Sequence, residues 1–291
     1  MTTTTMTHLQ HLRLLATAVV AVLLFSQAAS AQQASPAIEW EKSFGGNWED
    51  LASSITQTTD GGYIVAGSSQ SDDGDVTGHH GRLDIYDYWI VKLTGMGDIE
   101  WQKSLGGSDN DYANSIIPTS DSGYIVAGYS VSADGDVTES RGNLDAWVVK
   151  LRSTGEIEWQ RSLGGSGEDL ANSIAQTTDG GYIIAGLSQS DDGDVTGRHE
   201  PSFSPDVWIV KLRSTGEIEW QRLLGGKGWD EAKYIAPTRD GGYIITGFSN
   251  SNDGDVIGLH GNYGFRDYWI VKLRSTGEIE WQRVLGGSNK D

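Results

Sequence analysis

The tripeptide "IEW" recurs with its tryptophan at positions 40, 101, 159, 220 and 281, at spacings of 61, 58, 61 and 61 residues. Four full copies of one unit and the start of a fifth are therefore present. Such a unit must be a supersecondary motif that buries its apolar surface against its own neighbours, because a single copy is too small to hold a core. Residues found in every copy build that motif. Residues that differ between copies are where function is to be sought.

Within the unit spanning 157–217 the strands are readable. "IEWQRSL" (Ile157–Leu163) alternates Ile157, Trp159, Arg161 and Leu163 on one side with Glu158, Gln160 and Ser162 on the other, the period of a half-buried strand. "NSIAQT" (172–177) and "YIIAG" (182–186) flank "TDGG", whose Asp-Gly pair predicts a hairpin with positive φ at both central residues. After a long loop comes "VWIVKL" (207–212), and "RSTGE" turns into the next "IEW". No helical period follows residue 31. Four short antiparallel strands per ~60 residues, with an aromatic at a fixed place, predict an all-β, propeller-like array of four-stranded blades.

"GGYIVAG" (61–67), "DGDVTG" (73–78), "DYWIVKL" (87–93) and "IEWQKSLGG" (99–107) resemble the repeats of secreted bacterial β-propeller proteins. The "WIVKL…STGEIEW" hairpin is similar to the outer strands of quinoprotein-type blades. The resemblance covers residues 38–291. It implies that "SIxQT" is the innermost strand of each blade, "YIVAG" the second, "WIVKL" the third and "IEWQ" the outermost. It also implies that the "GGxxxD" and "DGDV" loops share one end of the array and the "TDGG" and "STGE" hairpins the other.

The repeats divide as 38–98, 99–156, 157–217 and 218–278, with a partial fifth at 279–291. Four blades are then complete, and residues 38–44 form an additional outer strand at the N-terminal end. The sequence stops at Asp291, the residue that opens the next loop, so the expectation is a fragment of a larger propeller, with a four- or five-bladed closure as the alternative. Open sheet edges would favour association.

Residues 1–31 stand apart. They hold Arg13 as the only lysine or arginine, no acid, the apolar run 14–25 and "ASA" at 29–31, the features of a cleaved signal peptide. The run is well short of the ~20 residues needed to span a bilayer. Residues 32–37 read as a short linker. The chain is expected to be secreted or held at the cell surface, without membrane insertion after cleavage. It has no cysteine, so neither disulfides nor a lipid-bearing thiol are available.

The net charge is −19, with 40 acids against 21 lysines and arginines. Such a field repels phosphate backbones and anionic lipid, which argues against nucleic acid and membrane partners. It favours cations, glycans or protein ligands. The acids concentrate in the "DGD" turns: Asp73 and Asp75, Asp134 and Asp136, Asp192 and Asp194, Asp253 and Asp255. Oxygen-rich turns of this kind can hold calcium. They lack the spacing and the distant glutamate of an EF-hand, and Asp and Gly are also ordinary turn formers. Turn chemistry is the first reading and calcium the second.

His79, His80, His199 and His260 lie in the same loops. Equivalent positions on different blades normally lie too far apart to share one zinc, so structural imidazoles are the first expectation and a zinc on converging loops the second. The copy-specific loop residues are Arg82, Tyr86, Arg141, Arg198, Phe203, Tyr263, Phe265 and Arg266, with Trp48 and Trp229 on the neighbouring loops. Aromatic and arginine side chains on a scaffolded loop are binding hot-spot chemistry. No "GxSxG" or "HExxH" motif is present. The reading is a non-catalytic, exported binding module, calcium-stabilised on the second reading of its turns; the alternative is a carbohydrate-active propeller enzyme using paired acids in a pocket.

Overall fold

The computed structural model describes residues 37–199, 204–260 and 265–287. The chain divides into two compact units, Met1–Glu41 and Lys42–Asp291. In the first, residues 37–41 are described and carry no regular structure. The signal-peptide expectation lies outside the described residues, as do Phe203, Tyr263 and Asp291.

The second unit holds four antiparallel sheets, each ordered as in the sequence. The first comprises β1 (Asp50–Gln57), β2 (Tyr63–Ser69), β3 (Asp87–Leu93) and β4 (Ile99–Leu105). The second comprises β5 (Asp111–Pro118), β6 (Tyr124–Ser130), β7 (Asp145–Leu151) and β8 (Ile157–Leu163). The third comprises β9 (Asp169–Gln176), β10 (Tyr182–Ser188), β11 (Asp206–Leu212) and β12 (Ile218–Leu224). The fourth comprises β13 (Asp230–Pro237), β14 (Tyr243–Ser249), β15 (Asp267–Leu273) and β16 (Ile279–Leu285). Each sequence repeat thus begins with the strand that closes the preceding sheet.

The additional outer strand expected at 38–44 does not form, and residues 37–46 join no ladder. Every outer strand is hydrogen-bonded to the third strand just before it, as β4 is to β3. No such strand precedes residue 38 among the described residues. A strand pattern without a partner leaves its backbone groups to water.

Two local expectations are also corrected. In the "TDGG" turn Gly61 has φ +85°, whereas Asp60 is not among the residues of positive φ. Gly61 N donates to Thr58 O and Thr58 N to Gly62 O, a three-residue loop closed by a glycine bulge rather than a two-residue turn. Asp60 serves through its side chain, accepting from the Gly62 amide at 2.9 Å and the Thr58 hydroxyl at 2.5 Å. In the outer strands the ladder slips beside the glutamate, so Lys150 pairs with Trp159 but Leu151 with Ile157. Ile157 therefore packs against the sheet before, while Trp159 packs against the sheet after. The bulge releases Glu158 to pair with Lys150.

The core lies between sheets. Ile64, Ala66, Ile90 and Leu105 of the first sheet meet Ile116, Val126, Trp147 and Val149 of the second. Equivalent clusters join the second sheet to the third and the third to the fourth. Each large apolar side chain so buried contributes about 1.5–3 kcal/mol. The first strands also bond across the sheets: Ile116 N donates to Ser54 Oγ, Ile174 N to Ser115 Oγ and Ile235 N to Ser173 Oγ, at 3.2–3.3 Å. A bulge in each first strand frees one more residue, and Asn114 and Asn172 use it to reach Ala171 O and Ala232 O.

Candidate functional site

The "DGDV" loops form one end of the sheet stack, where each grips the diglycine linker that opens its own repeat's passage from one sheet to the next. Asp136 N donates to Gly106 O at 2.8 Å, and Gly106 N donates back to Asp136 Oδ2 at 3.3 Å. Asp134 Oδ1 accepts from Ser108 N at 2.7 Å. The same clasp is made by Asp73 and Asp75 on residues 45–47, by Asp192 and Asp194 on residues 164–166, and by Asp253 and Asp255 on residues 225–227. The motif that raised the calcium question thus spends oxygens on backbone amides. Among the described residues no group of three or more His, Asp or Glu side chains is placed to hold a metal ion.

Beneath the clasp lies a second layer of carboxylates. Asp111, which starts β5, accepts from Gly107 N at 2.9 Å and the Ser132 hydroxyl at 3.0 Å. Asp87, which starts β3 in the sheet before, points its Oδ1 toward Gly106, where an added Cβ would come within 2.6 Å of it. That oxygen is buried without a hydrogen-bond partner, as is Oδ1 of Asp145 in the second sheet. Burial pushes the Asp111 carboxyl up to about 6 against the hydrogen bonds of Ser130, Gly107 and Ser132, and the charge of Asp87 adds to the rise. Burial likewise lifts Asp206 to about 6, opposed by the His199 amide and ring and assisted by Asp230. Asp87, Asp169 and Asp230 are raised for the same first reason.

The histidines are not gathered together. His80 Nδ1 lies 3.1 Å from Asp87 in its own sheet, and its Nε2 lies 3.7 Å from Asp136 in the next. His199 bridges Asp206 and Asp255 in the same manner, at 3.4 and 3.2 Å. The second loop has no histidine, and Arg141 takes the role, with its guanidinium 2.5 Å from Asp194 and its amide 2.6 Å from Asp145. His260 contacts Asp267, at 3.4 Å. One imidazole or guanidinium per junction therefore latches the loop of one repeat to the "DGD" turn of the following one.

The other copy-specific residues fall into two groups. Arg198 is drawn inward to Gln189 O and Ser204 O, and Tyr86 gives its hydroxyl to Glu49 at 2.5 Å, a bond that first among its causes pushes the phenol up to about 12. The Tyr86 ring lies 4.8 Å from Tyr112, which stacks in turn on Tyr129 at 5.0 Å. Arg82 pairs with Asp84 at the surface, and Trp48 and Phe265 are exposed. The densest group is in the fourth repeat, where the Arg266 guanidinium sits 4.6 Å from the Trp229 ring and 4.3 Å from Phe248. A cleft of about 490 Å³ opens beside it, lined by Lys233, Phe248, Arg266 and Tyr268 among others. Tyr112, Tyr129 and Phe248 were not legible as site residues because they sit inside strands. Their signal is that Ser68, Tyr129, Leu187 and Phe248 occupy one repeat position with four different side chains.

No protein-family model matches the chain. Among curated proteins, the regulatory protein FlaEY of Caulobacter vibrioides is 26% identical over 193 residues, 62% of this chain and 20% of that protein. The matched region thus spans about one fifth of that relative's length. Among solved structures, the tail fiber of Staphylococcus aureus phage P68 is similar over 88% of this chain and 57% of that one, at 11% identity and a TM-score of 0.26.

Proposed function

We propose that this chain is a non-catalytic, exported repeat module of β-propeller type that binds a glycan or protein ligand through side chains at its loop end. The propeller arrangement is supported by the first strands, which bond to one another across successive sheets as the inner edges of blades do. In this reading the recurring aspartates are structural clasps and latches. Binding falls to the copy-specific side chains that the clasps hold in place.

One observation carries the assignment. Arg266 stacks on Trp229 and Phe248, at positions that hold Tyr86, Glu49 and Ser68 in the first repeat and Pro205, Glu168 and Leu187 in the third. Scaffold needs would have repeated the cluster in every copy. Screening the full chain on a glycan array and a panel of surface proteins tests the reading, with Trp229→Ala and Arg266→Ala beside it. Capture of one ligand class is expected, weakened at least about tenfold by either change, since truncating a hot spot costs upwards of 1.4 kcal/mol. Capture that both variants retain in full would remove the site.

A further inference from the structure

Among the described residues the stack of sheets presents two uncovered faces, and these are the two halves of the interface that it repeats internally. On the first sheet Ile55 is 60% exposed, whereas Ile116, Ile174 and Ile235 at the same repeat position are 0%, 3% and 1% exposed. On the fourth sheet Tyr268 is 62% and Leu285 51% exposed, whereas their first-sheet counterparts Tyr88 and Leu105 are 0% and 5% exposed. What covers Tyr88 is known in detail. Its ring lies 4.6 Å from Trp147 of the next sheet, and its hydroxyl donates to Trp147 O at 3.0 Å.

We infer that two copies of this chain associate head to tail, the outward face of β13–β16 on one copy packing against the outward face of β1–β4 on the other. The interface continues the one already formed three times within the chain, which is why a second copy is the fitting occupant. Tyr268 then meets Trp89 as Tyr88 meets Trp147, and its hydroxyl reaches Trp89 O. His260, which contacts only the Asp267 of its own repeat among the carboxylates described, gains Asp75 of the second copy, as His80 has Asp136 and His199 has Asp255. The contact is heterologous, so each copy keeps one face free for a further copy.

Phe44 sharpens the inference. It packs on Trp89 and Val91, and it stands at the repeat position of Leu105, which packs with Trp147. The incoming Leu285 seeks that same place. Residues 42–46 belong to no ladder, so they are the side that yields.

Sedimentation velocity of the full chain over a rising concentration series tests this, with Ile55→Asp and Tyr268→Asp prepared separately. Both side chains are exposed, so the charges leave the fold intact, which circular dichroism checks. The wild-type chain is expected to form dimers and longer species. Each variant alone is expected to stay monomeric, and an equimolar mixture to form a dimer that grows no further, because only one good face of each kind remains. Phe44→Ala is expected to strengthen association. A wild-type chain monomeric to about 100 μM, a concentration at which a micromolar interface is saturated, overturns the inference. So does a mixture that stays monomeric, association that survives either single charge, or weaker association of Phe44→Ala. Tyr268 also lines the cleft beside Arg266, so Ile55→Asp, which lies on the first sheet, separates the two readings: it should abolish association and leave ligand capture on the array intact.

Discussion

Single residues in the turns carry opposite electrostatic strains. Asp111 and Asp206 are lifted from 3.8 to about 6 mainly by burial. Between about 4 and 6 the folded chain keeps protons that the unfolded chain has lost, so these groups make stability fall as pH rises through that window and leave it level above. Asp111→Asn should remove part of that downward slope in denaturant titrations across pH 4 to 7, and an unchanged slope would contradict the assignment. Asp179 goes the other way: the Thr177 hydroxyl, then Lys211 and the Gly181 amide, outweigh burial and hold it at about 2. Its contribution is present above about 4 and is lost as pH falls toward 2. Backbone strain is placed with equal definition. Ser122 stands at φ +69° where the other repeats have Gly61, Gly180 and Gly241. Ser122→Gly should therefore stabilise the chain by about 1 kcal/mol, read as a raised denaturation midpoint.

At the scale of strands and sheets, the tryptophans test the stacking. Trp159 and Trp281 occupy the same strand position, but Trp159 lies between two sheets and Trp281 is exposed on the last. Trp159→Ala should cost about 2 kcal/mol or more, from lost burial and the cavity left behind. Trp281→Ala should cost less than about 1 kcal/mol in dilute solution. Equal costs would mean that neighbouring sheets do not cover these rings. The strands themselves were legible because alternation, flanking glycines and repetition all agree, as in "YIIAG" and "VWIVKL". What alternation hid was the bulge at Glu158, which turns Ile157 to the opposite face from Trp159. A one-residue slip leaves no mark in composition. Residues 38–44 show the converse limit, since a strand pattern forms a strand only where a partner edge exists.

For the whole molecule, the recurring acids were legible as structure while their partners were not. Nothing in "DGDV" names the diglycine linker some 30 residues upstream, because the pairing is made by the path of the chain. The latch was hidden for a similar reason: His80, His199 and Arg141 do one job with two kinds of side chain. The clasps satisfy these carboxylates through backbone amides. Adding a chelator should leave the melting midpoint unmoved, whereas a bound calcium at 100 times its dissociation constant would add about 2.7 kcal/mol. The copy-specific residues are the exception to repetition, and they bear the proposed binding. All of this depends on four sheets packed face to face with only the outermost faces bare. Hydroxyl-radical footprinting in dilute solution, read by mass spectrometry at Ile55, Ile116, Ile174 and Ile235, measures that arrangement at one repeated position. Strong labelling of Ile55 with protection of the other three is the predicted result, and equal labelling of all four would contradict it.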